Sequence, residues 1–317
     1  MKRATLLYNP RAGSNHERRR EAVESAARVL REAGVRVECS ATQSADSAGA
    51  QARDAIANGS DTILACGGDG TLHDTLQGVV GTGAALGVIP LGTANALAYD
   101  LGLPFHPARA ATKLLTYAPR LLPAGTITYS TRNNGEVTRY FTVMAGVGPD
   151  AAMVYELSAQ WKHSLGLIGY LAKSAQLFLT HHFAPFQVEY TDLVTEEPHQ
   201  YEAVSVMAIR ISDFGNVLRK LAPGAALENS DLRLVILTKH PRVSFLLHLT
   251  TAMIGLRPKL PGIAFPSARE VRCTPLANHP DSVTIHAEAD GEHLGQLPVT
   301  MGICHRAFHL LMPPDRS

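Results

Sequence analysis

The sequence predicts an α/β domain with a parallel sheet, followed by a β-rich domain with inserted helices. Strands and helices alternate over the first ~120 residues, which is typical of a parallel sheet covered on both faces. After Pro123 the pattern changes to alternating strands, and the Asn-Asn-Gly run at 133–135 is typical of a hairpin turn. A chain of 317 residues is long enough for two domains. We therefore predict one domain over residues 1–122 and a second over residues 123–317.

The spacing of apolar residues predicts the elements of the first domain. The predicted strands are residues 4–8, 35–40, 62–66 and 85–90. The predicted helices are residues 16–33, residues 44–58, a helix that starts at Thr71, and residues 107–116. The first helix also carries five arginines, for which we predict a solvated face, with binding of anionic lipid as the alternative. They are Arg18, Arg19, Arg20, Arg28 and Arg31.

The second domain has short strand-like runs interrupted by helical segments. The predicted strands after residue 148 are 186–194, 201–211, 232–238, 271–274, 282–287, 299–303 and 307–312. The predicted helices are residues 151–160, 165–180 and 243–256. The last two are apolar over most of their circumference. Burial in the core explains this most simply, and a pocket for an acyl chain is the alternative.

Composition excludes several classes of protein. The chain is 45% hydrophobic and 18% charged, as folded proteins are, and its net charge of +1 gives no support for binding nucleic acid. Its four cysteines include no CxxC pair, which argues against a zinc site or a disulfide framework and favours a reducing cytoplasm. No run reaches the roughly 18 apolar residues of a membrane span. We therefore expect any contact with a membrane to be peripheral.

The strongest local signal is the run Gly67-Gly68-Asp69-Gly70-Thr71 between a buried strand and a helix. Glycines allow another group to approach the backbone, and helix N-termini attract anions. A carboxylate at such a corner is typical of a site for nucleotide phosphates and Mg²⁺, and a tight turn without a ligand is the alternative. Asn9 and Thr93 also follow predicted strands. Because ligands of parallel sheets bind beyond the carboxyl ends of the strands, we expect both near this corner.

Two acidic segments stand out in the second half. Glu288, Asp290 and Glu292 surround an Asp-Gly turn, and three carboxylates are more than a turn requires. Phosphoryl transfer to an alcohol needs a proton acceptor and a Mg²⁺ ion, and Asp290 or Glu292 could serve either need. A simple hairpin turn explains the segment equally well. The second segment, residues 228–231, favours a solvated turn over a surface Mg²⁺ site.

Several motifs together resemble one known family. They are Asn9-Pro10-Arg11-Ala12-Gly13, Thr42, Gly67–Leu72, Pro90–Asn95, Gly146–Asp150, Leu165-Gly166 with Tyr170, Asp231, and Asp290-Gly291-Glu292. In this order and at this separation they resemble the diacylglycerol kinase catalytic-domain family, in particular bacterial lipid kinases similar to soluble diacylglycerol kinase. Sphingosine and ceramide kinases share that domain. The resemblance implies a nucleotide-binding domain like that of NAD kinases and phosphofructokinases, a β-sandwich that helps form the lipid site, and an active site in the cleft between them.

The resemblance also implies roles for individual residues. It implies that the catalytic base lies in the Asp290-Gly291-Glu292 segment, where we favour Glu292 as the proton acceptor and Asp290 as its rival for the base or for Mg²⁺. We expect Asp69 to help hold Mg²⁺, directly or through water. The resemblance further implies a structural Mg²⁺ site near Asp231. The residues that it places against ATP are Asn9, Pro10, Arg11, Ala12, Gly13, Thr42, Gly67, Gly68, Asp69, Gly70, Thr71, Leu72, His73, Asp74, Thr93 and Asn95.

The sequence departs from the family at two places. His73-Asp74 stands where the family usually has Asn-Glu, and Leu232 stands where a glycine usually follows the aspartate at 231. We still predict an ATP- and Mg²⁺-dependent lipid kinase that is cytoplasmic and meets its substrate at a membrane surface. An NAD kinase and a non-catalytic nucleotide- or lipid-binding regulator are the alternatives. The sequence leaves open which lipid is phosphorylated and whether the chain forms a homodimer.

Overall fold

The computed structural model describes residues 1–10, 16–44, 46–131, 135–148, 184–212, 222–238, 261–276 and 284–314. The chain divides into two units. The first comprises residues 1–123 and 305–317, and the second comprises residues 124–304. The predicted helices at 151–160, 165–180 and 243–256 lie outside the described residues, as do Arg11, Ala12 and Gly13.

The first unit contains a parallel sheet, as the sequence predicts. Its strands are β1 (Arg3–Tyr8), β2 (Arg36–Ala41), β3 (Thr62–Gly67) and β4 (Ala85–Pro90), in the order β2-β1-β3-β4. Every residue of β3 and β4 is buried, because a parallel sheet is covered on both faces. All neighbouring pairs are parallel. The carboxyl ends of the four strands therefore meet at one edge of the sheet.

Five helices among the described residues cover this sheet. They are α1 (His16–Glu32), α2 (Ala48–Ala57), α3 (Asp69–Val79), α4 (Ala96–Asp100) and α5 (Pro107–Leu114). Helix α1 packs on α5, and α2 packs on α3. The contact between α2 and α3 is close because both helices present glycine there: a Cβ on Gly78 would overlap the backbone of Gly49. The two helix pairs match the expected α/β architecture.

The last strand differs from the prediction. Residues 299–303 and 307–312 belong to one continuous strand, β17 (Val299–Met312). The polar run at 304–306 interrupts the apolar pattern, and Arg306 has a φ of 49°, but the distortion does not end the strand. The final part of β17 pairs in parallel with β4, where His309 lies opposite Ala85. It therefore adds a fifth strand to the sheet of the first unit.

The second unit is a sandwich of two antiparallel sheets. One sheet contains β8 (Phe186–Thr191), β9 (Pro198–Ala203), β14 (Glu270–Pro275), the start of β17, and the hairpin of β5 (Ala118–Ser130) and β6 (Glu136–Phe141). The other contains β7 (Met144–Val147), β10 (Ser205–Ile209), β11 (Leu232–Leu237), β12 (Ile263–Ala264), β13 (Ser267–Ala268), β15 (His286–Ala289) and β16 (Glu292–Gln296). One buried apolar cluster includes Phe186 and Met301 of the first sheet and Val206 and Leu234 of the second. This packing confirms the predicted β-rich fold.

Two details of the second unit differ from the prediction. The predicted strand 201–211 is two strands, β9 and β10, which lie in different sheets. The buried end of β9 at Ala203 runs directly into the fully buried β10, so the amino-acid composition does not reveal the change of sheet near Val204. Strand β16 was not predicted, because its residues alternate poorly and include Gly295.

Candidate active site

The glycine corner lies at the carboxyl edge of the first unit's sheet. Gly68 is the N-cap of α3, and no side chain caps this helix end. The backbone N–H of Leu72 donates to the carbonyl of Gly68 at 3.1 Å, which is the first turn of the helix. The N–H groups of Gly70 and Thr71 precede that bond and have no carbonyl acceptor within the helix. The helix start therefore offers backbone donors to an anion.

The loops after β3 and β4 touch each other at glycines. The N–H of Leu91 donates to the carbonyl of Gly67 at 2.9 Å, which extends the pairing of the two strands. A Cβ on Gly92 would overlap the Cα of Gly68 and lie 3.0 Å from its nitrogen. A Cβ on Gly68 would in turn lie 3.3 Å from the Cα of Gly92. These two glycines are therefore required for the packing of the loops, whatever ligand the corner holds.

Asp69 and Asn95 fix the second loop. The Oδ1 atom of Asp69 accepts a hydrogen bond from the N–H of Ala96 at 2.9 Å, which ties the start of α3 to the start of α4. Asn95 is buried with a left-handed backbone (φ 50°, ψ 48°). Its Oδ1 accepts from the N–H of Gly92 at 2.9 Å, and its Nδ2 donates to the carbonyl of Gly92 at 2.7 Å. Thr93 is thereby held exposed at the tip of the loop.

The sheet brings further predicted residues to the same edge. Asn9 follows β1 and Thr42 follows β2, and the N–H of Thr42 donates to the carbonyl of Tyr8 at 2.8 Å. Since β1 pairs in parallel with both β2 and β3, Asn9 lies at the strand end next to Gly68, and Thr42 lies one strand further along the same edge. Asn9, Pro10 and Thr42 are all partly exposed. This edge thus carries a row of polar groups where parallel sheets bind their ligands.

Two predicted residues face the protein interior instead. The side chains of Leu72 and His73 are 1% and 3% exposed, so neither presents an accessible surface to a nucleotide. Both belong to the buried face of α3, together with Leu76. The departure at His73-Asp74 therefore places an imidazole inside the unit, while Asp74 remains partly exposed.

Arg19 is a candidate that the sequence prediction missed. Its Nη2 donates to the carbonyl of Leu91 at 3.3 Å, next to Gly92, and burial lowers the pKa of the guanidinium. Its Nη1 is buried and has no hydrogen-bond partner among the residues that the structure describes. The prediction of a solvated face is therefore wrong for this arginine. The helical spacing indicates this position, because Arg19 precedes the buried residues Val23 and Ala26 by four and seven positions and so lies on the same face of α1.

The predicted turn after β15 is present, and its aspartate is anchored. Asp290 is 3% exposed with a φ of 49°. Its Oδ2 accepts from the N–H of Thr142 at 2.9 Å, and its Oδ1 accepts from the N–H groups of Val143 at 2.8 Å and Met144 at 3.2 Å. Its own N–H donates to the carbonyl of Met144 at 2.8 Å. Both carboxylate oxygens thus hold the connection between β6 and β7.

The other two carboxylates of the turn differ in exposure. Glu288 is 1% exposed and accepts from the N–H of Gly291 at 3.1 Å. Glu292 begins β16 and is partly exposed. The adjacent His293 packs its ring 4.9 Å from that of His286, and burial lowers the pKa of His293. Of these three acidic residues, only Glu292 is partly exposed to solvent.

The segment near Asp231 does not suit a Mg²⁺ ion. The Oδ2 of Asp231 forms an ion pair with Nε of Arg233 at 3.0 Å. Three backbone carbonyls of the same segment accept hydrogen bonds from the buried guanidinium of Arg210. In the part of the chain that the structure describes, no group of three or more His, Cys, Asp or Glu side chains is arranged for a metal. The local geometry therefore argues against the structural Mg²⁺ that the resemblance implied.

Comparison with known families identifies the family and the fold. The model of the diacylglycerol kinase catalytic domain matches residues 3–127, and that of the YegS C-terminal NAD kinase beta sandwich-like domain matches residues 142–312. The chain belongs to the family that these two models define, with a diacylglycerol kinase catalytic domain followed by a YegS C-terminal NAD kinase beta sandwich-like domain. It is therefore an enzyme of the lipid kinase class, and the resemblance drawn from its motifs is confirmed.

Relatives of this diacylglycerol kinase family member match it from end to end. A diacylglycerol kinase of Bacillus subtilis (strain 168) is 26% identical over 320 residues, covering 100% of this chain and 98% of the relative. A diacylglycerol kinase of Staphylococcus aureus (strain bovine RF122 / ET3-1) is 26% identical over 316 residues, covering 99% and 93%. The similarity thus extends over nearly the whole length of both relatives.

Solved structures show the same fold. A diacylglycerol kinase from Bacillus anthracis str. Sterne superposes with a TM-score of 0.70 at 18% identity, covering 100% of this chain and 98% of that chain. Yeast NADH kinase complexed with NADH gives a TM-score of 0.51 at 11% identity, covering 100% and 84%. These likenesses confirm the predicted fold class. None of the helices in the described ranges has the length and apolar character needed to cross a membrane.

Proposed function

We propose that this lipid kinase transfers the γ-phosphoryl group of ATP to the hydroxyl of diacylglycerol, with Mg²⁺ as the metal. The observation that carries the nucleotide part is the glycine corner, where backbone donors of α3 stand beside the carboxylate of Asp69. Two relatives matched from end to end, each named diacylglycerol kinase, support the choice of acceptor.

The residues of the corner fit a nucleotide phosphate. The backbone N–H groups of Gly70 and Thr71 would bind phosphate oxygens, as helix N-termini do. Arg19 would add a positive charge, since it already lies against the loop that contains Gly92. The glycines keep Cβ atoms out of the space between the two loops.

A Mg²⁺ ion also fits the donors at this corner. Proteins commonly hold Mg²⁺ with one or two carboxylates together with substrate phosphates. Asp69 would supply the carboxylate, directly or through water, while its Oδ1 keeps the hydrogen bond to Ala96. When bound, the ion supplies neutralisation of charge on the phosphates.

We assign the proton acceptor to Glu292. Asp290 is a poorer candidate because its two oxygens already accept three backbone hydrogen bonds. In the proposed reaction the lipid hydroxyl oxygen bonds to the γ-phosphorus while the bond from that phosphorus to the β–γ bridging oxygen breaks. The hydroxyl proton passes to Glu292, and ADP leaves. Catalysis then rests mainly on positioning and charge neutralisation.

The direct test is a transfer assay with the full chain. Radiolabelled ATP and Mg²⁺ are incubated with diacylglycerol in mixed micelles, with NAD, or with no acceptor. We expect label in the lipid fraction only with diacylglycerol. Label in NAD but not in lipid would overturn the proposal in favour of an NAD kinase, whose fold the chain shares. No transfer to diacylglycerol but transfer to a sphingoid base would overturn the proposed substrate and keep the lipid kinase.

A further inference from the structure

Arg210 is an arginine with its charge inside the protein. It follows β10 and is 1% exposed. Its Nη2 donates to the carbonyl of Leu227 at 2.6 Å, and its Nη1 donates to the carbonyls of Asn229 at 3.2 Å and Asp231 at 3.4 Å. We call residues 227–231 the acidic turn. Three carbonyl oxygens of this turn thus converge on one guanidinium, an arrangement that otherwise suits a hard cation.

The surroundings keep this guanidinium charged. Burial lowers the pKa of Arg210, while the charges of Asp231, Glu228 and Asp290 raise it, and the resulting pKa is about 10. Arg210 is therefore protonated at neutral pH. A buried cation of this kind is stable only when hydrogen bonds and opposite charges compensate it, and the acidic turn supplies both.

The same residue connects the acidic turn to the turn that carries Asp290. The backbone N–H of Arg210 donates to the carbonyl of Val143 at 2.9 Å. The N–H of Val143 in turn donates to Oδ1 of Asp290 at 2.8 Å. The backbone of Arg210 thus links the acidic turn to the turn that carries Asp290, within one sheet.

A metal ion would have to compete for oxygens that are already engaged. The carboxylate of Asp231 pairs with Arg233, and the side-chain amide of Asn229 donates to the carbonyl of Gly224 at 2.8 Å. We propose that Arg210 is the resident cation of the acidic turn, and that this lipid kinase needs no divalent metal there.

The test is thermal unfolding of the full chain, in millimolar Mg²⁺ and in excess EDTA. Arg210→Met removes the charge but keeps a side chain of similar length. Arg210→Lys keeps the charge but replaces the planar guanidinium and its several N–H donors with a single ammonium group. Arg272→Met is the matched control, because Arg272 lies exposed on β14 of the same unit. Asp231→Asn reports whether any response to chelation arises at the acidic turn.

We expect the wild-type melting temperature to be unchanged by EDTA. We expect Arg210→Met to melt at least about 5 °C lower, Arg210→Lys to fall between, and Arg272→Met to match wild type. The proposal would be overturned if the melting temperature of the wild type falls in EDTA while that of Asp231→Asn does not. It would also be overturned by an Arg210→Met protein as stable as wild type. If Arg210→Met does not fold, the chelation result on wild type and the Arg210→Lys melting temperature decide.

Discussion

The carboxylate of Asp69 accepts a hydrogen bond from the backbone N–H of Ala96 at 2.9 Å. This contact joins the helix after β3 to the helix after β4, across the loop that exposes Thr93. Asp69 therefore has a structural role as well as the proposed role at Mg²⁺. The two roles can be separated, because asparagine keeps an acceptor oxygen but loses the charge.

We expect Asp69→Asn to lose lipid phosphorylation while its stability stays within about 1 kcal/mol of wild type, since the acceptor for Ala96 remains. Asp69→Ala should lose activity and also about 1.5–3 kcal/mol of stability, because a charge-assisted hydrogen bond disappears. Urea unfolding and the transfer assay measure the two effects. An active Asp69→Asn protein would show that the carboxylate serves only the loop.

Gly92 gives a steric test of the corner. In Gly92→Ala the new Cβ would overlap the Cα of Gly68, and backbone cannot move aside as a side chain can. We expect a loss of about 1–3 kcal/mol in stability and at least about a tenfold fall in kcat/KM. Gly83→Ala is the control, because a Cβ there meets no atom within 4 Å. Equal activity of the two variants would contradict the packing argument.

Arg19 gives a test of the nucleotide site. Arg19→Met should raise the KM for ATP roughly tenfold or more, as expected for the loss of a charge-assisted contact. Arg20→Met is the matched control, since Arg20 is the exposed neighbour on the same helix. Steady-state kinetics at varied ATP measures the change. A KM for ATP unchanged in Arg19→Met would remove Arg19 from the proposed site.

The sequence predicted the parts of the molecule that depend on local pattern. These parts are the buried strands β3 and β4, the corner at Gly68 and the turn at Asp290. They can be predicted because burial and turn formation determine which residue types occur at neighbouring positions.

The parts that were missed depend on contacts distant in sequence. Gly92 is required because its loop packs against Gly68, and Arg210 is buried because carbonyls about 20 residues away accept its hydrogen bonds. The spacing of apolar residues along the sequence reveals neither contact. Strand β17 was divided because a polar interruption looks the same whether a strand ends or only bends. The exception is Arg19, because its spacing to the buried residues of α1 is visible in the sequence itself.

We assign different roles to Asp290 and Glu292: Asp290 stabilises the fold, and Glu292 acts in catalysis. Asp290→Ala would leave two buried backbone donors, at 142 and 143, and one partly buried donor, at 144, without their carboxylate acceptor, so we expect it to lose more than about 3 kcal/mol of stability. Glu292→Gln changes a partly exposed side chain and should unfold at the same urea concentration as wild type. Unfolding midpoints compare the two, and equal midpoints would contradict the assignment of Asp290 to structure.

The most direct test of the proposed mechanism is the kcat of Glu292→Gln for transfer from ATP to diacylglycerol, measured at saturating substrates beside the wild-type chain. Removing a general base lowers the rate by about 10²–10⁴-fold, and we predict a fall in that range with unchanged unfolding. A Glu292→Gln kcat within about threefold of wild type would contradict the assignment of the base.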